Sequence, residues 1–167
     1  NHSDYKGLME DALTSIPTLS LVTTPGNMFS HIRNNTTGGI YIFTGDTGSG
    51  SLGIGWERPV SMEFFDPKTQ KQIQVNCGVL LHGGNSRLPD NSPKHSLRLS
   101  FRSKYGPSKL KFNFFEEETA TNEFNSLVLR AGYNYSWLTN ISDARTDAQY
   151  LQDPFAKKTQ LDMGYVA

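Results

Sequence analysis

The sequence predicts an α+β domain, a mainly antiparallel sheet with a carboxy-terminal helix, on three observations. Short β-patterned stretches recur between Ile16 and Arg130, Gly- and Pro-bearing turns separate them, and the pattern turns helical only beyond Trp137. The 167 residues fit one compact domain or one half of a larger one. Residues 1–16 read as an amino-terminal segment and residues 17–167 as the domain.

Taken in order, Ile16 to Thr24 alternates Leu19, Leu21 and Thr23 against smaller or polar positions and reads as a strand. Pro25 then opens a short helical stretch through Met28, Phe29 and Ile32, because Pro suits a first helical turn. Gly39 to Phe43 reads as a short strand, and residues 44–55, with five Gly, as a loop. Pro59 to Phe65, the turn Asp66-Pro67-Lys68-Thr69 and Gln72 to Leu81 together predict a hairpin. The cleanest alternation runs from Lys94 to Arg102, with His95, Leu97, Leu99 and Phe101 on one face and Lys94, Ser96, Arg98, Ser100 and Arg102 on the other. One face packs and the other is cationic. Lys104 to Lys109 is a turn, Glu116 to Glu118 are solvent-exposed, and Asn125 to Arg130 is a further strand ending at Ala131-Gly132. Ser142 is a helix cap with Asp143 in the first turn; at Asp153-Pro154 the helix kinks or restarts with Asp153 as cap, and Gly164 closes it.

Composition removes several functional classes. Sixteen Lys+Arg balance sixteen Asp+Glu, so nothing global favours a nucleic-acid partner or a polybasic membrane anchor. Ten Phe, seven Tyr and two Trp supply core candidates, which excludes disorder by composition. No apolar run approaches the roughly 20 residues that span a bilayer. The opening Asn1-His2-Ser3-Asp4 lacks an initiator Met and reads as a processed or excised piece. Cys77 stands alone, so no internal disulfide forms, and its apolar strand makes it a packed thiol.

Three constellations could carry chemistry. His82-Gly83-Gly84-Asn85-Ser86-Arg87 joins two strands, and two adjacent glycines let backbone N–H groups approach an anion, with Lys94 near enough in sequence to neutralise phosphate charge. A wide hairpin loop is the alternative. Residues 86–111 hold seven basic residues against Asp90 alone, and Lys94, Arg98 and Arg102 on one strand face would form a row of cations about 6 to 14 Å apart, sized for a polyphosphate or an acidic peptide. A solvated strand face is the bland reading. Asp143 and Asp147 share a helix face, and these or Asp153 either orient a phosphate-binding cation or act as caps and surface charges. His2, His31, His82 and His95 lack metal-ligand spacing, and no metal site is assigned.

The ordered string carries more than any one motif. Trp56-Glu57-Arg58-Pro59-Val60-Ser61-Met62-Glu63-Phe64-Phe65, then Cys77 to Arg87, then Ser92-Pro93-Lys94-His95-Ser96-Leu97-Arg98-Leu99-Ser100-Phe101-Arg102, then Leu127 to Trp137 and Asp147 to Asp153, resembles the amino-terminal half of bacterial CotH-like domains, the spore-coat CotH kinase family. The resemblance covers roughly residues 17 to 167. It implies the small-lobe half of an atypical protein-kinase-like fold that transfers the ATP γ-phosphoryl group to Ser of coat or surface proteins with Mg or Mn, in a bacterial extracellular, cell-surface or spore-coat setting. On that reading Gly83, Gly84, Asn85, Ser86, Arg87, Lys94 and Arg98 face the nucleotide, and Asp147 and Asp153 orient the site from the helix behind it. Where many relatives carry Arg before the acid, this chain has Gln152-Asp153-Pro154. The sequence ends at Ala167, before the family's Asn-Gly-x-Tyr-x-Gly-x-Tyr-like strand and its metal-binding carboxylates, so the resemblance implies a truncated domain without turnover or catalytic residues of its own, able to self-associate through the cut surface. The rival reading is a non-catalytic β-rich binding module of an extracellular multidomain protein, using exposed aromatics and the cationic strand.

Overall fold

The computed structural model describes residues 7–30, 38–40, 56–88, 90–115, 120–138 and 142–165. Its elements are helix α1 (Met9–Thr14), strands β1 (Thr18–Val22), β2 (Arg58–Phe65), β3 (Gln72–His82), β4 (Ser96–Ser100), β5 (Leu110–Lys111), β6 (Glu123–Phe124) and β7 (Ser126–Leu129), then helices α2 (Ser142–Thr146) and α3 (Gln152–Asp162). The class is α+β, with a mainly antiparallel sheet of order β1-β2-β3-β4-β7, a separate β5-β6 pair, and a carboxy-terminal helix. Two compact units divide the chain: one takes residues 1–41, 52–80 and 98–127, the other residues 42–51, 81–97 and 128–167.

In the first unit the predicted hairpin is the organising piece. Asp66 closes it: one carboxylate oxygen accepts the Lys68 N–H at 2.9 Å and the other accepts the Thr69 hydroxyl at 2.7 Å. These bonds, the Thr69 hydroxyl first, hold the Asp66 carboxyl below its ordinary value. The turn sets an antiparallel register in which Val60 faces Cys77 and Met62 faces Val75, so one face of β2 and β3 is apolar at every second position. Those four side chains are buried with Val79, Leu99, Phe101 and Leu110, and Met62, Cys77 and Leu99 retain no exposure. Full burial of one such side chain stabilises the fold by roughly 1.5–3 kcal/mol. Desolvation, with a smaller contribution from the Glu57 charge, pushes the Cys77 thiol up to about 11, as a packed thiol requires. β1 lies antiparallel to β2, Leu21 opposite Met62. Phe64, Phe112, Phe114 and Phe124 form a second apolar cluster, their rings edge to face with centroids 4.8 to 5.6 Å apart.

Several expectations are corrected. The cationic strand is shorter than its alternation suggests: β4 starts at Ser96, so Lys94 lies in the preceding turn and Arg102 beyond the strand end. Ser100, expected on the cationic face, is buried, so Arg98 and Arg102 do not border an open polar row. The helical stretch at Pro25 is one 3₁₀ turn, Pro25–Asn27. Helix α1 and the β5-β6 pair are not visible as patterns, being only six and two residues long. The expectations for Ile32, Tyr41 to Phe43, residues 44–55 and Glu116 to Glu118 lie outside the described residues.

Candidate functional site

The second unit contains the Gly-rich loop. β3 ends at His82, and Gly83 turns the chain with φ +110°, a conformation L side chains rarely adopt; a Cβ there would also run into the Ser86 hydroxyl. Asn85–Arg87 then forms a 3₁₀ turn in which Arg87 N–H bonds Gly84 O at 3.0 Å and Leu88 N–H bonds Asn85 O at 3.1 Å. Side chains fasten the turn from outside: Asn91 donates to Asn85 O at 3.1 Å, and His95 Nδ1 lies 3.2 Å from Ser86 O.

The loop borders a depression of about 360 Å³ completed by Ser96, Arg130 and Gly132 to Asn134. Ser96 sets the far wall, its hydroxyl accepting the Ala131 N–H at 2.9 Å. Arg130, one residue past β7, supplies the cation, and its guanidinium is ion-paired with Asp153. Both partners are about half exposed, so the pair adds at most ~1 kcal/mol to stability. Its consequence is orientation: a long flexible side chain is held at the depression's rim.

Asp153 reaches Arg130 because the helix restarts. α3 begins at Gln152, Leu151 precedes it without a side-chain cap, and Asp153 and Pro154 sit in the first turn. Asp153 is therefore not the cap. Pro needs no donor there, and a carboxylate is favoured beside the unpaired N–H groups. Just upstream, Tyr150 takes φ +57°, unusual for an aromatic residue. Its ring lies against Gly132 (φ +68°), with two ring carbons 3.1 Å from where a Cβ would stand. Its hydroxyl is 2.7 Å from that of buried Ser136, and Trp137 packs edge-on at 5.4 Å between centroids. The start of α3 is thus tied to residues 130–137 twice, by the ion pair and by Tyr150.

A further depression of about 480 Å³ shares Arg130 and Gly132 and is lined also by Lys94, Ala131, Tyr150, Asp153, Pro154 and Lys157.

Of the residues singled out in the sequence, Gly83, Gly84, Asn85 and Ser86 come together at the first depression. Lys94 is exposed and lines the second, with Arg130 and Asp153. Arg87 is buried, only 6 % exposed, and does not share the loop's open side. Arg98 is an exposed residue of β4 that belongs to the first unit, and exposed Asp147, whose N–H bonds Asp143 O at 3.2 Å, lines neither depression. Arg130, Gly132, Tyr150 and Lys157 were not foreseen as site residues. The Arg-Ala-Gly sequence at the end of a strand was the available signal for the first two.

The basic segment of the first unit is largely neutralised within itself. Arg102 Nε meets the buried Glu57 carboxylate at 3.0 Å, while Lys111 and Lys109 meet Glu123 at 3.0 and 3.4 Å. The Lys111 contact, then that of Lys109, holds the Glu123 carboxyl below its ordinary range. Among the described residues no group of three or more His, Cys, Asp or Glu is placed to hold a metal. No described helix is long and apolar enough to cross a membrane. No family model matches the chain, and neither curated proteins nor solved structures yield a match.

Proposed function

We propose that residues 17–167 form the phosphate-facing part of a CotH-like, atypical protein-kinase-like module, one that transfers the ATP γ-phosphoryl group to Ser of coat or surface proteins. A single observation carries this reading: the Gly83–Ser86 turn lies beside an arginine that a carboxylate on a following helix holds in place. Protein kinases handle ATP phosphates with a Gly-rich loop and a cation paired to a helix acid, and catalysis there is mostly positioning and charge stabilisation. Here Arg130 and Asp153 take those two parts, and the sequence string from Trp56 to Asp153 supports the assignment. The site described covers phosphate binding alone, and no step through a metal is assigned to these residues. A few charge-assisted contacts on exposed groups support an affinity near millimolar, roughly −4 kcal/mol.

Chemical-shift titration with ATP and AMP tests the reading. Shifts centred on Gly83 to Ser86 and Arg130, larger for ATP, are expected; Arg130→Ala removes them and Lys109→Ala leaves them unchanged. Trp137, 64 % exposed, favours the second reading, a non-catalytic binding module with an aromatic contact. That reading expects no preference between ATP and AMP, and such a result would displace the kinase assignment.

A further inference from the structure

We infer that the second depression is a phosphate subsite in its own right, so that the two depressions together take a linear polyphosphate, with Arg130 serving both. This deepens the proposed function and rests on its assignment of the Gly83–Ser86 loop to phosphate.

Lys94 comes from the turn before β4 and Lys157 from α3, one helical turn beyond Asp153, and both are exposed at the same depression as Arg130. The side chain of neither lysine has an ion-pair or hydrogen-bond partner among the described residues. Asp153, the only carboxylate among the described residues lining the depression, is already engaged by Arg130. Some cations elsewhere are paired: Arg102 meets Glu57, Lys109 and Lys111 meet Glu123, and Lys158, the very next residue to Lys157, meets Asp162. Three cations gathered around one occupied carboxylate repel one another unless an anion enters between them. The shared residues Arg130 and Gly132 make the two depressions neighbours, so a chain of phosphates can rest one end on the Gly83–Ser86 backbone and the other between Lys94 and Lys157. Affinity then grows with the number of phosphates and needs no adenosine.

The test is calorimetric or chemical-shift titration of the full chain with orthophosphate, pyrophosphate and tripolyphosphate at one low ionic strength. Tripolyphosphate is expected to bind about tenfold or more tighter than orthophosphate, and Lys157→Ala to weaken tripolyphosphate about three- to tenfold and orthophosphate by less. Lys158→Ala removes the same charge one residue away and is expected to change neither. Equal losses from Lys157→Ala and Lys158→Ala, or no gain with chain length, would overturn the subsite. Two outcomes separate this inference from the kinase reading. ATP binding no tighter than tripolyphosphate, with the Lys157 effect intact, supports the subsite and removes the nucleotide assignment. ATP shifts at Gly83 to Ser86 that ignore Lys157→Ala overturn the subsite and leave that assignment standing.

Discussion

Gly132→Ala is the most direct probe of how the site is held. Gly132 has φ +68°, where a non-glycine residue costs roughly 1–2 kcal/mol. The new methyl would also stand 3.1 Å from Cδ1 and Cε1 of Tyr150, closer than ordinary contact. The ring cannot slide away freely, because its hydroxyl is bonded to Ser136 and Trp137 packs against its edge. Overpacking of this kind adds about 1–2 kcal/mol, near the lower end of measured cases. The total, about 2–4 kcal/mol, lowers the melting midpoint by roughly 5–15 °C at ~2–4 °C per kcal/mol. Gly164→Ala is the matched control: its φ is +82° but nothing lies within 4 Å of the added carbon, so only the backbone part is expected. Thermal and urea unfolding of Gly132→Ala, Gly164→Ala, Tyr150→Ala and the Gly132→Ala/Tyr150→Ala pair gives the steric part as a coupling energy. The reasoning predicts coupling of about 1 kcal/mol or more, with the second alanine relieving the first. Coupling within ~0.5 kcal/mol of zero, or equal losses at Gly132 and Gly164, would refute it.

Other outcomes follow from the same geometry. Asp153→Asn should weaken ATP binding about three- to tenfold, with unfolding changed by less than ~1 kcal/mol because the Arg130 pair is exposed; titration beside urea denaturation separates the two. Met62→Ala, at a position with no exposure, should cost about 2–5 kcal/mol by urea unfolding. Burial raises the Cys77 thiol to about 11, so its contribution to stability is complete below the unfolded-state value of 9.0 and is lost as pH rises through 11; unfolding curves of the wild type and Cys77→Ala should converge across that window, and native protein should resist thiol reagents at pH 8. Asp66 shifts the other way, so its contribution is complete above the ordinary value of 3.8 and fades as pH falls through the lowered one; Asp66→Asn should flatten the acid limb of the unfolding profile.

The hairpin was legible in sequence because both its strands and its turn carry strong local signals: β-rich stretches from Pro59 to Phe65 and Gln72 to Leu81, and Asp66-Pro67 ahead of Thr69 between them. The Gly83-Gly84 loop was legible for a similar reason, since paired glycines restrict what the backbone can be doing there. The cation beside that loop was not. Alternation from Lys94 to Arg102 pointed to Lys94, yet alternation says only which way a side chain faces if the strand continues, and the strand begins at Ser96. Arg130 acquires its role from Asp153, a partner far along the chain that no local pattern could pair with it. Tyr150 was equally hidden: its left-handed backbone depends on Gly132 and Ser136 offering a seat for the ring. Arg87 looked available from its neighbours and is buried, because a 3₁₀ turn directs adjacent side chains to different sides.

The order of the sheet carries a consequence for how the chain folds and fails. β2 and β3 are joined by one tight turn, so their pairing closes with little loss of chain entropy and should form early. β1 must close the much longer stretch from Val22 to Arg58 before it gains anything, and among the described strands it stands at the sheet edge with β2 as its one neighbour. It is the strand a weakened variant should release first. Release would uncover the unpaired backbone of β2 beside Val60 and Met62, a template onto which another chain can add a strand. Conditions that loosen β1 should therefore lead to aggregation at a rate that rises with protein concentration, before the hairpin itself has melted.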